Sequence, residues 1–368
     1  MKLNRIIQKM ENIAPIKLAE NKWDNSGLQV GDENSEIRKI MLVLDVTIEV
    51  VNRAIEQNVD LIISHHPMLF SNIKKIDKRD KKGKIIFELI KNDIAVYSAH
   101  TNLDACLEGV SVQLAKKLEI DTYKILDITQ SEKIYKLCVF VPVSHSEEVR
   151  EAIINNGAGH IGNYSHCSFC SKGEGTFKPL DGTNPFIGEK NILEKVNEVK
   201  IESIICESKI EKVLKEMLKV HPYEEVAYDL FEINGSNIEY GYGRVGDLEI
   251  SRSLKSLAKD VKDKLNCDYV KFYGDENRSI KKVALSGGDG TEFIEHAIRE
   301  NVDVFITGDI RHHDVQLANE NNLCLIDASH FNTEVVILPV LKEMLLGKID
   351  NDIEIIIDSN NYFKAYYI

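Results

Sequence analysis

Two adjacent histidines, His65 and His66, end the apolar run of "DLIISHHPMLF" (60–70) and are followed at once by Pro67. Elsewhere, "HTNLD" (100–104) closes on Asp104, and "SHFNTE" (329–334) carries His330 and Glu334. Together these residues offer three imidazole nitrogens and two carboxylates. That is a nitrogen/oxygen set of borderline softness, suited to zinc, iron(II) or manganese. Five ligands exceed what one tetrahedral zinc with an open position uses. They suit two divalent ions a few Å apart with a carboxylate shared between them, an arrangement that activates water and polarises a carbonyl, imine or phosphoryl oxygen. A single histidine is more often a hydrogen-bonded core residue than a ligand. An adjacent pair at a strand end, joined by a repeated His-x-Asn-x-acid pattern, favours metal. His100, which opens the first such pattern, is expected to orient a ligand rather than to be one.

These residues must be held by the elements before them. "KIMLVLD" (39–45) reads as a strand ending in Asp45, "TIEVVNRAIEQN" (47–58) as a helix, and "VDLIIS" (59–64) as a second strand. Strand–helix–strand units build parallel sheets, whose functional side chains gather beyond the carboxyl ends of the strands. A helix over 84–92 and a strand over 94–100 continue the pattern. The segment 282–309, "KVALSGGDGTEFIEHAIRENVDVFITGD", repeats this layout. Asp45-x-Thr47 corresponds to Asp289-x-Thr291, and the His-x-Asn-x-acid runs at 100–104 and 330–334 correspond to each other. The expected fold is therefore α/β, with two related α/β halves forming one metal-binding domain. The two His-x-Asn-x-acid runs should meet, and Gly308-Asp309 should stand where the first half has its histidine pair.

Between the halves the texture changes. Strand, helix, a glycine-rich run, strands, helix and strand follow in turn, with Ser146 as the expected N-cap of a helix. The pattern predicts a ferredoxin-like α+β insert. The boundaries fall at 1–127, 128–236 and 237–368.

The 368 residues carry a net charge of −13, which argues against general affinity for nucleic acid or anionic membranes. No apolar run approaches the ~20 residues of a membrane span. Seven scattered cysteines read as reduced thiols, and a cytoplasmic location is expected. "TGDIRHHD" (307–314) adds Asp309, as a hydrogen-bond acceptor or proton shuttle, and His313, as a substrate contact; both are candidate catalytic residues. A polar turn and helix cap account for the motif about as well. "SHCSFC" (165–170) places His166 beside Cys167 and Cys170, only half of a zinc site, and reduced thiols are the better reading. "SGGDG" (286–290) is the best phosphate candidate, between a strand and a helix. "WDNSG" (23–27) is either a helix exit or a cleft wall with Asn25 reaching the substrate.

The segments "WDNSGLQVG" (23–31), "DLIISHHPMLF", "SAHTNLD" (98–104), "TGDIRHHD" and "SHFNTE" resemble, in order over nearly the whole chain, the GTP cyclohydrolase 1 type 2 homologues, the NIF-three-like dinuclear metal proteins. The resemblance implies two metal ions held by His65, His66, Asp104, His330 and Glu334, with zinc first and iron or manganese next. It implies ring-shaped homohexamers and, in the longer members, an insert similar to PII and CutA proteins; "HPYEEVAYD" (221–229) is similar to that insert's signature. The implied activity is hydrolysis of a nucleotide-like substrate, by cyclohydrolase or phosphoesterase chemistry. No cysteine accompanies the metal residues, which weakens the strict cyclohydrolase version. The competing reading is a regulatory or metal-chaperone protein without turnover.

Overall fold

The computed structural model describes residues 1–20, 22–71, 73–162 and 164–364. Asn163, within the glycine-rich run, lies outside the described residues. The chain forms two compact units, Met1–Gln130 with Tyr240–Ile368, and Ser131–Glu239. It passes between them within two long strands, Asp121–Pro142 and Tyr228–Ser253.

The first unit holds two sheets. One has the order Gly27–Val30, Ala95–Ser98, Leu61–Ser64, Lys39–Val43, Glu354–Ile357. Its first pair is antiparallel and the rest are parallel. The strands Leu61–Ser64 and Ala95–Ser98 are buried along their whole length. Parallel strands covered by helices on both faces read as unbroken apolar runs for this reason. Ile40, Leu42, Ile63 and Tyr97 pack with the helices Leu3–Ile13 and Ile337–Leu346. Met41, Val43, Ile62 and Val96 face the helices Ile48–Glu56 and Lys81–Lys91. Thr47 caps the helix Ile48–Glu56, its hydroxyl accepting the Val50 N–H at 3.3 Å.

In the other sheet of this unit, Ser279–Leu285, Val304–Thr307 and Cys324–Asp327 are mutually parallel. Lys271–Tyr273 pairs antiparallel with Cys324–Asp327, and the Tyr228–Ser253 strand lies antiparallel to Ser279–Leu285 at the opposite side. Short helices, Thr101–Ala105 and His330–Glu334, follow the strands Ala95–Ser98 and Cys324–Asp327.

Within the second unit the order along the chain is strand, helix Ser146–Asn155, strands Phe169–Phe177 and Glu194–Cys206, helix Ile210–Val220, strand. Leu137, Val139, Ile201 and Ile205 form its core with Val149, Ile153, Val213 and Met217 from the two helices. The expected cap Ser146 lies inside its helix. His145 takes the cap position, because a 3₁₀ turn over Val143–His145 precedes the helix and the Ser146 hydroxyl donates back to Val143 O at 3.0 Å.

All the candidate metal residues lie in the first unit. A variant with Gln130 joined to Tyr240 by a short linker is therefore expected to fold and to keep its metal content. The ends are close: the Thr129 hydroxyl lies 3.4 Å from Tyr240 O. Metal analysis of the folded variant checks this, and loss of metal would show that residues 131–239 help to build the site.

Candidate metal centre

The cluster is assembled at the ends of parallel strands. His65 and His66 follow the strand Leu61–Ser64, their N–H groups donating to Val43 O at 3.1 Å and Leu44 O at 2.9 Å. His65 is 2% exposed and its Nδ1 lies 2.9 Å from Ala99 O. A carbonyl only accepts, so Nδ1 carries the proton and Nε2 presents a lone pair. His66 Nδ1 lies 2.9 Å from Asp45 Oδ1, and His330 Nδ1 lies 2.8 Å from Asp309 Oδ2. Carboxylate partners on Nδ1 fix these rings in the same sense and leave Nε2 pointing inward, as is usual for metal-binding histidines.

Glu334 stands between the three rings. Oε1 is 3.1 Å from His330 Nε2 and 3.7 Å from His65 Nε2, while Oε2 is 3.1 Å from His66 Nε2. Asp104 Oδ1 lies 3.6 Å from His65 Nε2. The expected meeting of the two His-x-Asn-x-acid runs thus occurs at His65.

The groups fit a divalent cation. His65 Nε2 and Glu334 Oε2 are buried without a hydrogen-bond partner; the latter's contact with His66 is too poorly aligned to count. His66 Nε2 and His330 Nε2 approach to 3.3 Å. Burying unpaired acceptors costs on the order of 1–3 kcal/mol per group, and two ring nitrogens this close repel whether both are bare or both are protonated. A positive ion held by them removes both penalties. Ligand atoms of His66, His330 and Glu334 lie within 4.8 Å of one another, as do those of His65, His66 and His100.

The second of these groups brings in a residue that spacing alone did not mark as a ligand. His100 Nδ1 lies 2.8 Å from Asp24 Oδ1, leaving its Nε2 free for metal in the same way as the other three. Asp24 also accepts from the hydroxyls of Ser26 and Thr101, at 2.6 and 2.7 Å. Burial works against its charge, but these donors win and hold its carboxyl down to about 2. Asp45 was marked by its place at a strand end. Asp24 carried no sequence signal, since its role exists only through a contact with His100, 76 positions away.

Other sequence candidates divide. Asp309 is at the cluster, on His330. Its own φ is 56°, and Ser329, just before His330, has φ 62°. Non-glycine residues with such backbones are uncommon, and they gather at functional sites. His313 is exposed, on the first turn of the helix His312–Glu320, its ring against His312 at 5.7 Å. It belongs to neither ligand group among the described residues. His166, Cys167 and Cys170 likewise join no such group among the described residues, and none of the seven cysteines is in a disulfide.

Two other expectations are corrected. The "SGGDG" amides do not stand open as a phosphate cradle: Gly287, Gly288 and Gly290 N–H groups donate to Ser111, Thr333 and Thr307 hydroxyls at 3.4, 3.0 and 2.9 Å. Nor does Asn25 point to substrate, since its Nδ2 donates to Leu69 O at 2.6 Å.

Electrostatics follow from this packing. Burial disfavours charged imidazoles, yet Glu334 and Asp45 raise His66 to about 10, and Glu334 and Asp309 raise His330 to about 9. Burial also opposes the Glu334 carboxylate, but the surrounding histidines hold its pKa well below the usual range. In metal-free protein at pH 7 His66 and His330 are therefore protonated. Metal must displace those protons, so loading is expected to release about two protons per chain near pH 7 and affinity to rise with pH. Indicator-dye titration in weak buffer checks this; uptake without proton release would place the metal elsewhere.

An α/β unit with buried and half-buried histidines and carboxylates converging beyond its strand ends defines a candidate metal-binding protein. Residues 1–361 match the Duf34/NIF3 (NGG1p interacting factor 3) family, and the chain belongs to it. It is 45% identical over 332 residues to a GTP cyclohydrolase 1 type 2 homolog of Bacillus subtilis, covering 90% of this chain and 89% of the relative. It is 37% identical over 355 residues to one from Staphylococcus aureus strain MSSA476, covering 96% and 95%. The crystal structure of a Bacillus cereus protein related to NIF3 superposes with a TM-score of 0.88 at 39% identity, covering 100% of this chain and 99% of that one.

Proposed function

We propose that this protein holds two divalent metal ions and acts as a metal-dependent hydrolase on a nucleotide-like substrate. The observation that carries the reading is the convergence of three imidazole Nε2 atoms, on rings fixed through Nδ1, on one buried carboxylate, Glu334. His65, His66, Asp104, His330 and Glu334 would hold the ions, Glu334 being the carboxylate that faces all three rings. Zinc suits the set first, iron(II) and manganese next. When bound, the ions supply an activated water and a Lewis acid for a carbonyl or phosphoryl oxygen. The chain's own contribution is orientation: Asp45, Asp309 and the Ala99 carbonyl hold the rings in one tautomer. Asp309, exposed and one ring away from the ligands, is the candidate for moving a proton. His313, exposed on the first turn of the helix His312–Glu320, remains a candidate substrate contact.

The reading extends to the architecture and the assembly. The two-halves arrangement is supported by strand order: each sheet contains three parallel strands in chain order with an antiparallel strand beside the third, and the first sheet adds Glu354–Ile357 as a fourth parallel strand. Residues 128–236 are read as a ferredoxin-like insert, akin to PII and CutA proteins, on the strength of the strand–helix–strand–strand–helix–strand order and the compact unit Ser131–Glu239. A homohexamer, which sedimentation tests, and a cytoplasmic location complete it. Cysteines without disulfides agree with a reducing compartment, and no helix among the described residues is long and apolar enough to cross a membrane.

A second reading, a metal regulator or chaperone without turnover, is favoured by one feature: Asp309, the candidate for moving a proton, is already engaged by the His330 ring. The test is turnover of GTP, GMP and p-nitrophenyl phosphate by protein reconstituted with zinc, manganese or iron(II). Turnover that disappears on chelation and in Glu334→Gln supports the hydrolase. Bound metal with no turnover favours the second reading.

A further inference from the structure

We propose that Trp23 and Phe70 form a base-stacking wall beside the metal cluster, receiving the planar heteroaromatic ring of a nucleotide while its polar remainder extends toward the histidines. This rests on the reading above and names the group by which the substrate is recognised.

The two rings are large, apolar and exposed, Trp23 at 47% and Phe70 at 53%. Their centroids are 5.8 Å apart and their planes are inclined at 48°. Trp23 continues to the cluster: it meets His100 edge-on at 5.7 Å, and His100 lies 5.3 Å from His65 and 5.5 Å from His66. An isolated exposed aromatic needs no explanation, but a pair joined ring by ring to buried ligands does.

The wall is also fixed in place. Asn25 Nδ2 donates to Leu69 O at 2.6 Å, the Leu69 N–H donates to Gln29 Oε1 at 3.1 Å, and Gln29 Nε2 donates to Asn25 O at 2.6 Å. These bonds join the two loops beside Phe70, while Asp24, next to Trp23, is held by His100, Ser26 and Thr101. None of them buries either ring. Their effect is to hold two exposed aromatic surfaces ready, which lowers the ordering cost of binding a flat ligand. Uncharged π-faces select the base of a nucleotide rather than its sugar or phosphate.

Trp23 is the only tryptophan of the chain, so its fluorescence reports on this wall alone. GMP is expected to quench it saturably in metal-loaded protein, and ribose 5-phosphate is not. By equilibrium dialysis with radiolabelled GMP, Trp23→Ala and Phe70→Ala should each weaken binding by roughly tenfold, the scale of one lost base stack. Trp23→Phe should recover most of the loss, and metal content should stay at the wild-type value in all three. Wild-type affinity for GMP in both alanine variants overturns the proposal. So does equal binding of ribose 5-phosphate, or no GMP binding to wild type at millimolar concentration. GMP binding that needs the wall in a protein without turnover would sink the hydrolase reading and leave this one standing.

Discussion

Glu334→Gln is expected to empty both metal positions while leaving the protein folded. The two carboxylate oxygens address different rings, Oε1 that of His330 and Oε2 that of His66, and Oε1 also faces His65. An amide keeps the shape but replaces one ligand oxygen with an NH2 group that cannot bind a cation. Removing one partner of a buried ion pair usually destabilises strongly, by roughly 3–5 kcal/mol. Here the penalty is smaller, because His66 and His330 are charged only through their carboxylate neighbours and can release their protons once Glu334 is neutral. Metal affinity should fall more than about 100-fold for both ions, beyond the roughly 10–100-fold that loss of an outer partner alone brings. Asp104→Asn, which addresses His65 only, should cost mainly one ion. Metal analysis after dialysis reads both variants. Full occupancy in Glu334→Gln would remove the carboxylate from the centre of the site.

Gly288→Ala is expected to act almost as strongly, from a residue that binds no metal. Gly288 has φ +64°, and a Cβ there would lie 2.2 Å from Glu334 Oε1 and 3.3 Å from His330 Nε2. The left-handed backbone alone costs an alanine about 1–2 kcal/mol. The added methyl must also push the carboxylate out of its place between the rings. Metal affinity should fall by roughly 10–100-fold, with a lower melting temperature in metal-free protein as well. Gly235→Ala separates the two effects: its φ is +77°, but a Cβ there meets nothing within 4 Å. It should show the backbone cost without the metal defect. Equal metal binding by Gly288→Ala and wild type would mean that Glu334 is not held where the glycine leaves room for it.

The contrast between these residues shows what the sequence made legible. His65, His66, Asp104, His330 and Glu334 stood out because ligand-type side chains ended apolar runs, and because one pattern occurred twice. Strand ends and repeats are local signals, and the fold brings them together. Gly288 lay in a segment noticed for another reason, an anion loop. Whether its amides were open depended on Ser111, Thr333 and Thr307, which reach it from elsewhere in the fold. The pairing of Asp24 with His100 was hidden in the same way. Asp309 and His313 are neighbours in one motif, but Asp309 meets His330 whereas His313 lies against His312. The helix His312–Glu320 starts between them, with Arg311 at its N-cap. The Tyr228–Ser253 strand runs unbroken across the expected boundary at 236/237, because strand pairing continues where composition changes.

The central claim is two ions at one place, and anomalous scattering from crystals of zinc-reconstituted protein, recorded at the zinc edge, tests both the number and the place. The account predicts two peaks within the cluster, both in contact with Glu334, one on the His66–His330 side and one on the His65–Asp104 side. A single peak there, or strong peaks only elsewhere, would contradict it.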